Sequence, residues 1–394
     1  MQASSAIESV LIRPKVLVIS PMSPWPSRGG GELRTARFAE ALSITSTVRV
    51  LSLYAIHSPQ PPSTIEEVVI RPGIPPLIWS YRTAERPLAP ALPIHLAKRV
   101  ERHVAEFQPD IVVFDQTITT GLLDQVNFSG ARLVLNAHNF DTDLALQIDS
   151  EAAWWSPSKS PQLALAQEAK AAQMCDLLVC CSDTDADSFE DKTGVKGVVI
   201  PNPLPDERAF EIPIATPRYS NRDILFVGAM VYRPNRIAVK ALVEAFSPKL
   251  PPGATIRLVG KSADMLPCQV RSAKNVEVIT DPPEVLPYLH DVGYTVMPIT
   301  EGSGTRLKVV EAMAAGVVTI ATGKAVEGLG LVPEVHFALA ETPDGLFGRY
   351  EELIGNPAKS AAIATAARQY ISEHYSENQF QRRVNNLFSL LQTS

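Results

Sequence analysis

Cysteine is scarce in this sequence, with four residues among 394 and no Cys-x-x-Cys pair. That scarcity argues against a disulfide framework and against a zinc site. Long hydrophobic runs are missing too, since none reaches the roughly 18–20 apolar residues that a membrane-spanning helix needs. Basic charge is not in excess, because 36 Lys and Arg stand against 42 Asp and Glu and the formal net charge is −6. We therefore expect no nucleic-acid partner.

The first residues lack the basic, apolar and small-residue segments of a secretory signal, so we expect a cytoplasmic protein. Peripheral contact with the inner face of the membrane is an open alternative, because basic residues cluster between positions 82 and 102. A solvated helix face is the more common explanation of such a cluster. Its members are Arg82, Arg86, Lys98, Arg99 and Arg102.

A single hydrophobic core stops growing near about 250–300 residues, so a chain of 394 residues is expected to form two domains. Both halves contain short β-branched runs separated by helical stretches, which indicates parallel strands covered on both faces. In the first half the runs are Lys15–Ser20, Val48–Leu53, Ile111–Phe114, Arg132–Leu135 and Leu177–Cys181. In the second half they are Asp223–Gly228, Thr255–Gly260, Val276–Ile279, Tyr294–Met297 and Val317–Ile320. We predict an α/β fold of two Rossmann-like domains facing each other across a cleft.

Proline, with 33 residues, marks where regular structure stops. Nine prolines between Ser58 and Pro93 predict a long ordered loop rather than a helix or a central strand. Five more between Pro201 and Pro217 predict the linker between domains. The expected domains are residues 1–205 and 206–374.

The most informative segment runs from Pro298 to Gly316. It follows a strand, passes through Gly302 and Gly304 and enters an amphipathic helix, which places a helix N-terminus at the carboxyl end of a parallel strand. Backbone N–H groups and the helix dipole attract phosphate there, and Arg306 and Lys308 add charge that a diphosphate can use.

Glu311 lies three residues beyond Lys308 on the same side of that helix. A carboxylate at this position can accept hydrogen bonds from ribose hydroxyls. An ordinary surface pair between Lys308 and Glu311, worth a few tenths of a kcal/mol, explains the same spacing. The residues alone leave these two interpretations open.

Several short pieces recur in a characteristic order along nearly the whole chain. They are Gly30-Gly31 with Arg34, Ala137-His138-Asn139, Cys181-Ser182-Asp183, Ile200-Pro201-Asn202-Pro203, Phe226-Val227-Gly228, Leu258-Val259-Gly260 and the segment Gly302–Gly316. In this order the chain resembles the GT-B glycosyltransferases, specifically the retaining family four with its "glycosyl transferases group 1" carboxy-terminal domain. The resemblance implies an acceptor-side domain over 1–205, a nucleotide-sugar-binding domain over 206–374, and a last helix at about 375–394 that crosses back onto the first domain.

The resemblance also assigns roles to single residues. It implies that Gly30 and Gly31 face the donor diphosphate and that His138 lies beside the transferred sugar. Glu311 matches the second glutamate of the family's Glu-x7-Glu motif, which is expected at the ribose. The first glutamate of that motif is replaced by Ser303.

The family's Arg and Lys after the strand-ending glycine have no clean match after Gly228. Arg233, Arg306 and Lys308 are the candidates to supply that positive charge. The candidate catalytic residues are therefore His138, Lys308 and Arg306. The candidate donor-binding residues are Gly30, Gly31, Gly228, Arg233, Gly302, Ser303, Gly304, Thr305 and Glu311.

Together these features predict an enzyme that transfers a hexose from a nucleotide diphosphate sugar to a glycan or lipid-linked acceptor. Retention of configuration, implied by the resemblance, lets a phosphate oxygen take the acceptor proton, so no side-chain base, cofactor or metal is expected. Two alternatives stay open. One is a nucleotide-sugar epimerase on the same fold, and the other is a non-catalytic glycan-binding or assembly protein derived from a transferase.

Three aspartates, Asp183, Asp185 and Asp187, imitate the metal-binding Asp-x-Asp of the other glycosyltransferase fold. Ser182 followed by acidic residues is also the pattern of a helix N-cap with a dipole-matched first turn. We favour the capping interpretation.

Overall fold

The structure is a computed structural model that describes residues 13–27, 29–55, 58–72, 94–128, 130–143, 161–302 and 306–393. Strands and helices alternate through most of it. The first strands are β1 (Lys15–Met22), β2 (Thr47–Ala55), β3 (Ile65–Pro72), β4 (Ile111–Asp115), β5 (Arg132–Asn136), β6 (Leu177–Cys180) and β7 (Val198–Val199). The later strands are β8 (Ile224–Val227), β9 (Ile256–Gly260), β10 (Val276–Thr280), β11 (Tyr294–Met297), β12 (Val318–Ala321) and β13 (Ala338–Leu339).

The helices connect these strands and cover their faces. The helices of the first half are α1 (Gly30–Ser43), α2 (Ile94–Phe107), α3 (Pro161–Met174) and α4 (Asp183–Thr193). The helices of the second half are α5 (Arg233–Phe246), α6 (Cys268–Arg271), α7 (Leu286–His290), α8 (Leu307–Ala314), α9 (Pro343–Ile354), α10 (Pro357–Tyr375) and α11 (Glu377–Thr393).

Two parallel sheets form the framework. Within the described residues the first has seven strands in the order β3-β2-β1-β4-β5-β6-β7, and the second has six in the order β10-β9-β8-β11-β12-β13. In each sheet the strands that follow the first strand, β1 or β8, are added on one side of it. The chain then crosses over, and the next strand, β4 or β11, pairs on the other side of that first strand. Ligands bind outside the carboxyl ends of parallel strands at such reversals, so the topology fixes where a site lies in each sheet. The predicted fold class is confirmed.

Strand β1 shows why these sequences become central strands. Val16, Leu17, Val18 and Ile19 are all buried, as a strand with helices on both sides requires. Val16 and Val18 pack into the cluster on one face, and Leu17 and Ile19 into the cluster on the other. The continuous apolar run therefore stabilises both layers at once.

The prediction of a loop from Ser58 to Pro93 is wrong for one segment. Residues Ile65–Pro72 form β3, which pairs in parallel with β2 at the edge of the first sheet. An edge strand tolerates the proline at its end because its outer N–H groups need no partner in the sheet. Residues 73–93 lie outside the described part of the chain.

The last helix returns to the first domain's sheet. Phe38 of α1 meets Phe380 and Phe388 of α11 edge to face, with ring centroids 6.3 and 5.7 Å apart. Arg37 also pairs with Glu377 at 3.3 Å. A break at Ser376, whose backbone is extended, separates α10 from α11 and lets the chain turn toward α1.

Helix α2 carries part of the basic cluster. Lys98, Arg99 and Arg102 are exposed, while Leu96 and Val100 are buried, which is the pattern of a solvated helix face. Arg82 and Arg86 lie outside the described residues. Among the helices that the structure describes, none is both long and apolar enough to cross a bilayer.

The packing of α11 gives a test of the fold. We expect Phe388→Ala to lower the free energy of unfolding by about 3–5 kcal/mol, because the side chain is buried against Phe38 and its removal leaves a cavity. Leu390→Ala on the same helix is the matched control, since Leu390 is 65% exposed. Chemical denaturation measures both. Equal stability of the two variants would contradict this packing.

Candidate active site

A cavity of about 420 Å³ lies between the carboxyl ends of the two sheets. The start of α1 forms one wall, and the ends of β8 and β11 with the start of α8 form the other. The lining residues are Gly29, Gly30, Val227, Gly228, Ala229, Tyr232, Pro234, Asn235, Ile299, Arg306, Leu307, Lys308 and Glu311. Both domains therefore contribute to one site, and sequence analysis selected five of its residues.

Helix α8 begins at Leu307, with Arg306 as its N-cap residue. The first N–H groups of a helix have no partner within it, and the helix dipole makes this end positive. Opposite this end, a β-carbon on Gly30 would lie 3.0 Å from Leu307 Cδ1. The two walls meet at Gly30, so the wall formed by α1 presents backbone rather than a side chain to the cavity.

Lys308 points into the cavity rather than out to solvent. Its Nζ donates to Asn235 Oδ1 and lies 5.1 Å from the centroid of the Phe226 ring. Asn235 is oriented in turn by donating from Nδ2 to Ala229 O at 2.8 Å. Burial lowers the pKa of Lys308 to about 7, and the charge of Arg306 acts in the same direction. An anion in the cavity would restore the protonated lysine.

Arg306 lies beside Lys308 and is 6% exposed. Its Nη2 donates to Gly302 O at 2.6 Å. Burial lowers the pKa of Arg306, against the effect of Tyr232, which hydrogen-bonds to it. Gly302 has φ of +105°, and a β-carbon there would lie 2.8 Å from the Tyr232 hydroxyl. Only glycine allows this tight turn before α8.

Glu311 is one turn further along α8 and lines the same cavity. Burial raises its pKa to about 7, and the charge of Asp206 adds to the increase. Lys308 and Glu311 both line the cavity rather than forming an exposed surface pair. The structure thus favours the ligand-facing interpretation of their spacing.

Two glycines shape the floor of the cavity. A β-carbon on Gly228 would lie 2.8 Å from Asn235 Nδ2 and 3.3 Å from Lys308 Nζ, so a side chain there would displace both groups. Gly260, at φ +151°, packs directly on the Gly228 backbone. Gly228, which follows β8, therefore lines the cavity with bare backbone, and Gly260 at the end of β9 supports it from below.

Two family models match the sequence on either side of this cavity. Residues 28–208 match the model described as Glycosyltransferase Family 4, and residues 221–356 match the model described as Glycosyl transferases group 1. Together they span most of the chain. This chain is a GT-B glycosyltransferase. Among curated proteins compared by sequence, none matches it.

Several solved structures have the same fold as this chain. Sucrose-phosphate synthase from Thermosynechococcus elongatus is 15% identical with a TM-score of 0.72, over 97% of this chain and 100% of that one. HepE from Anabaena, solved with UDP and glucose, is 16% identical with a TM-score of 0.68, over 95% and 99%. WaaG, a glycosyltransferase involved in lipopolysaccharide biosynthesis, is 16% identical with a TM-score of 0.68, over 94% and 98%.

His138 of this glycosyltransferase lies on the first-domain side, near α1. Its Nε2 is 3.0 Å from Asp115 Oδ1, a distance at which the carboxylate accepts a hydrogen bond from the imidazole. A β-carbon on Gly31 would lie 3.4 Å from His138 Nδ1, which places the imidazole behind the glycine loop. Burial would raise the pKa of Asp115, but His138, Thr35 and Asn136 together lower it. Asp115 therefore holds the imidazole as a charged partner.

Sequence analysis missed Asp115, Asn235 and Glu168. Asp115 ends β4 at the carboxyl edge of the sheet, where ligand-binding residues of parallel sheets lie, so this position could have indicated a functional residue. Asn235 lies in the first turn of α5, where a polar residue is ordinary, and its contact with Lys308 spans 73 positions. Glu168 is completely buried on α3, and only its burial distinguishes it from a surface glutamate.

Glu168 fixes the loop that follows His138. It accepts hydrogen bonds from the backbone N–H of Asp141 at 2.5 Å and of Thr142 at 3.1 Å, and from Thr142 Oγ1 at 2.5 Å. Burial raises the pKa of Glu168 to about 8, and the neighbouring Asp141 adds to the increase. The loop beside the imidazole is thus held by a buried carboxyl group.

Arg233 lies away from the cavity lining. Its Nη1 is 2.8 Å from Glu301 Oε1 and 3.0 Å from Oε2, at the start of α5. Its role in donor binding stays a prediction. Ser303, Gly304 and Thr305 lie outside the described residues.

Ser182 caps α4, as the sequence indicated. Its side chain accepts from Asp185 N, and Asp185 Oδ1 accepts from Phe140 N at 3.0 Å. The capping interpretation of the aspartates is confirmed. Among the described residues, no group of three His, Cys, Asp or Glu side chains is placed to hold a metal ion.

The close packing of Gly260 on the Gly228 backbone gives a prediction about the free energy of unfolding. We expect Gly260→Ala to cost about 3 kcal/mol or more, because the new methyl group would overlap the Gly228 carbonyl in a backbone region reserved for glycine. Gly253→Ala is the control, since it also has positive φ, at +89°, but no atom within 4 Å. It should cost only about 1 kcal/mol. Thermal unfolding compares them, and similar losses would contradict the crowding at Gly228.

Proposed function

We propose that this glycosyltransferase moves a hexose from a nucleotide diphosphate sugar to a glycan or lipid-linked acceptor, with retention of configuration. One observation carries the proposal: Lys308, the α8 N-terminus and the glycine loop at Gly30 line a single cavity between the two sheets. A partly buried lysine at a helix N-terminus suits a diphosphate. HepE, which has this fold, was solved with UDP and with UDP-glucose. UDP is therefore the first nucleotide to test.

The proposed chemistry requires little beyond binding. A nucleotide sugar carries its own leaving group, so the protein must stabilise the charge that develops on the departing diphosphate. Lys308, Arg306 and the N–H groups of α8 would do so, and Glu311 would accept from the ribose hydroxyls. These groups meet the diphosphate charge without a metal ion, and we expect activity to survive a chelator.

The first domain would supply the sugar and acceptor contacts. His138 Nδ1 lies behind Gly31, where the imidazole would hydrogen-bond to a hydroxyl group of the transferred hexose. In the retaining mode the acceptor attacks from the leaving-group side, and a diphosphate oxygen takes its proton. The acceptor would lie between residues 1–205 and the donor held by residues 206–374. A lipid-linked acceptor would place the enzyme at the inner face of the membrane. WaaG, which shares the fold, is involved in lipopolysaccharide biosynthesis.

The first experiment measures nucleotide binding by calorimetry. We expect Lys308→Met to weaken UDP binding by about tenfold or more, because a charge-assisted contact to the diphosphate is lost. Lys240→Met is the matched control, because Lys240 is exposed on α5 and pairs only with Glu244 among the described residues. Undiminished UDP binding by the Lys308 variant would overturn the assignment. Conversion of the nucleotide sugar to its epimer in the absence of an acceptor would instead indicate an epimerase.

The lowered pKa of Lys308 gives a pH prediction. In the empty site the lysine loses its proton near pH 7, and a bound diphosphate holds that proton, so binding takes up a proton above pH 7. The UDP affinity should therefore fall between pH 7 and 9, by up to about tenfold per pH unit. Lys308→Met should flatten this slope, whereas Lys240→Met, at an exposed position on α5, should retain it. A slope unchanged in the lysine variant would contradict the prediction.

A further inference from the structure

The first turn of α5 sets the surroundings of the Lys308 ammonium. Asn235 lies in this turn, lines the donor cavity and is 4% exposed. Its Nδ2 donates to Ala229 O at 2.8 Å, which leaves Oδ1 to accept from Lys308 Nζ. The carbonyl group of Ala229 therefore fixes which end of the amide faces the lysine. A carboxylate could not make both contacts, because it has no N–H group to donate.

Within the described part of the chain, no carboxylate forms an ion pair with Lys308. Glu301, which follows β11, is bound by Arg233 of α5, whose Nη1 lies 2.8 and 3.0 Å from the two carboxylate oxygens. Glu311 lines the same cavity without pairing with the lysine. Helix α5 thus binds a nearby carboxylate through Arg233 and offers Lys308 a neutral amide through Asn235. The charge of the lysine stays available to a ligand.

We propose that Asn235 is a positioning residue for the donor, which holds the Lys308 ammonium in the cavity by a neutral contact and so keeps its charge for the diphosphate. This inference rests on the proposed function, since it takes the bound anion to be a nucleotide diphosphate. A carboxylate at position 235 would compete with the diphosphate for the same ammonium. An apolar side chain there would leave the ammonium without its hydrogen-bond acceptor. An amide avoids both effects.

The first measurement follows the ε-carbon of Lys308 by NMR in a full chain labelled with ¹³C-lysine, without nucleotide. The signal is assigned by its absence from Lys308→Met. We expect Asn235→Asp to raise the pKa of Lys308 from about 7 to about 8 or higher, because an opposite charge favours the protonated amine. Asn386→Asp is the matched control, since it adds the same charge at an exposed position on α11. An unchanged pKa in Asn235→Asp would overturn the proposal.

The second measurement is the UDP affinity, by calorimetry from pH 7 to pH 9. At pH 7 we expect Asn235→Asp and Asn235→Ala each to weaken UDP binding by about fivefold or more. In Asn235→Asp the lysine keeps its proton at higher pH, so the affinity should fall by a smaller factor than in the wild-type chain. The ratio of the two affinities should therefore narrow toward pH 9. A merely structural role would lower the affinity by the same factor at every pH.

The other titratable groups near the lysine are Arg306 and Glu311, which line the cavity, and Asp206, whose charge acts on Glu311. All three remain in the Asn235 variants and contribute to every slope. A ratio that stays constant with pH would overturn the proposal, and so would UDP binding by Asn235→Ala as tight as that of the wild-type chain. A wild-type chain that does not bind UDP would contradict the donor assignment instead. The NMR titration needs no nucleotide and tests Asn235 by itself.

Discussion

The constraint on which the active site depends is a partly buried lysine ammonium that forms no ion pair with any carboxylate in the described part of the chain. Lys308 meets an amide oxygen of Asn235 and an aromatic face, and both are weaker partners than an ion of opposite charge. Burial and the charge of Arg306 lower its pKa. The site is therefore built to gain stability when an anion enters, and the surrounding glycines keep room for that anion.

Parallel topology explains why this lysine lies opposite Gly30. In both sheets the strand order reverses beside the first strand, at β1 and β4 and at β8 and β11. Each reversal opens a crevice at the carboxyl edge, and the helix that follows the strand points its N-terminus into it. Helix α1 follows β1, and α8 follows β11, so two helix starts converge on one cavity. A fold with antiparallel sheets would not bring these ends together.

Sequence patterns predicted the strands well because each is a continuous apolar run that must be buried on both faces, as in Val16 to Ile19. They indicated Lys308 as a phosphate contact because a helix start after a glycine turn attracts anions. They left Glu311 open, and only the family resemblance assigned it to the ribose. They missed β3, since prolines surround it and an edge strand needs fewer contacts. They missed Asn235 and Asp115, since what makes each functional is a contact with a residue distant in sequence, and spacing along the chain carries no information about it.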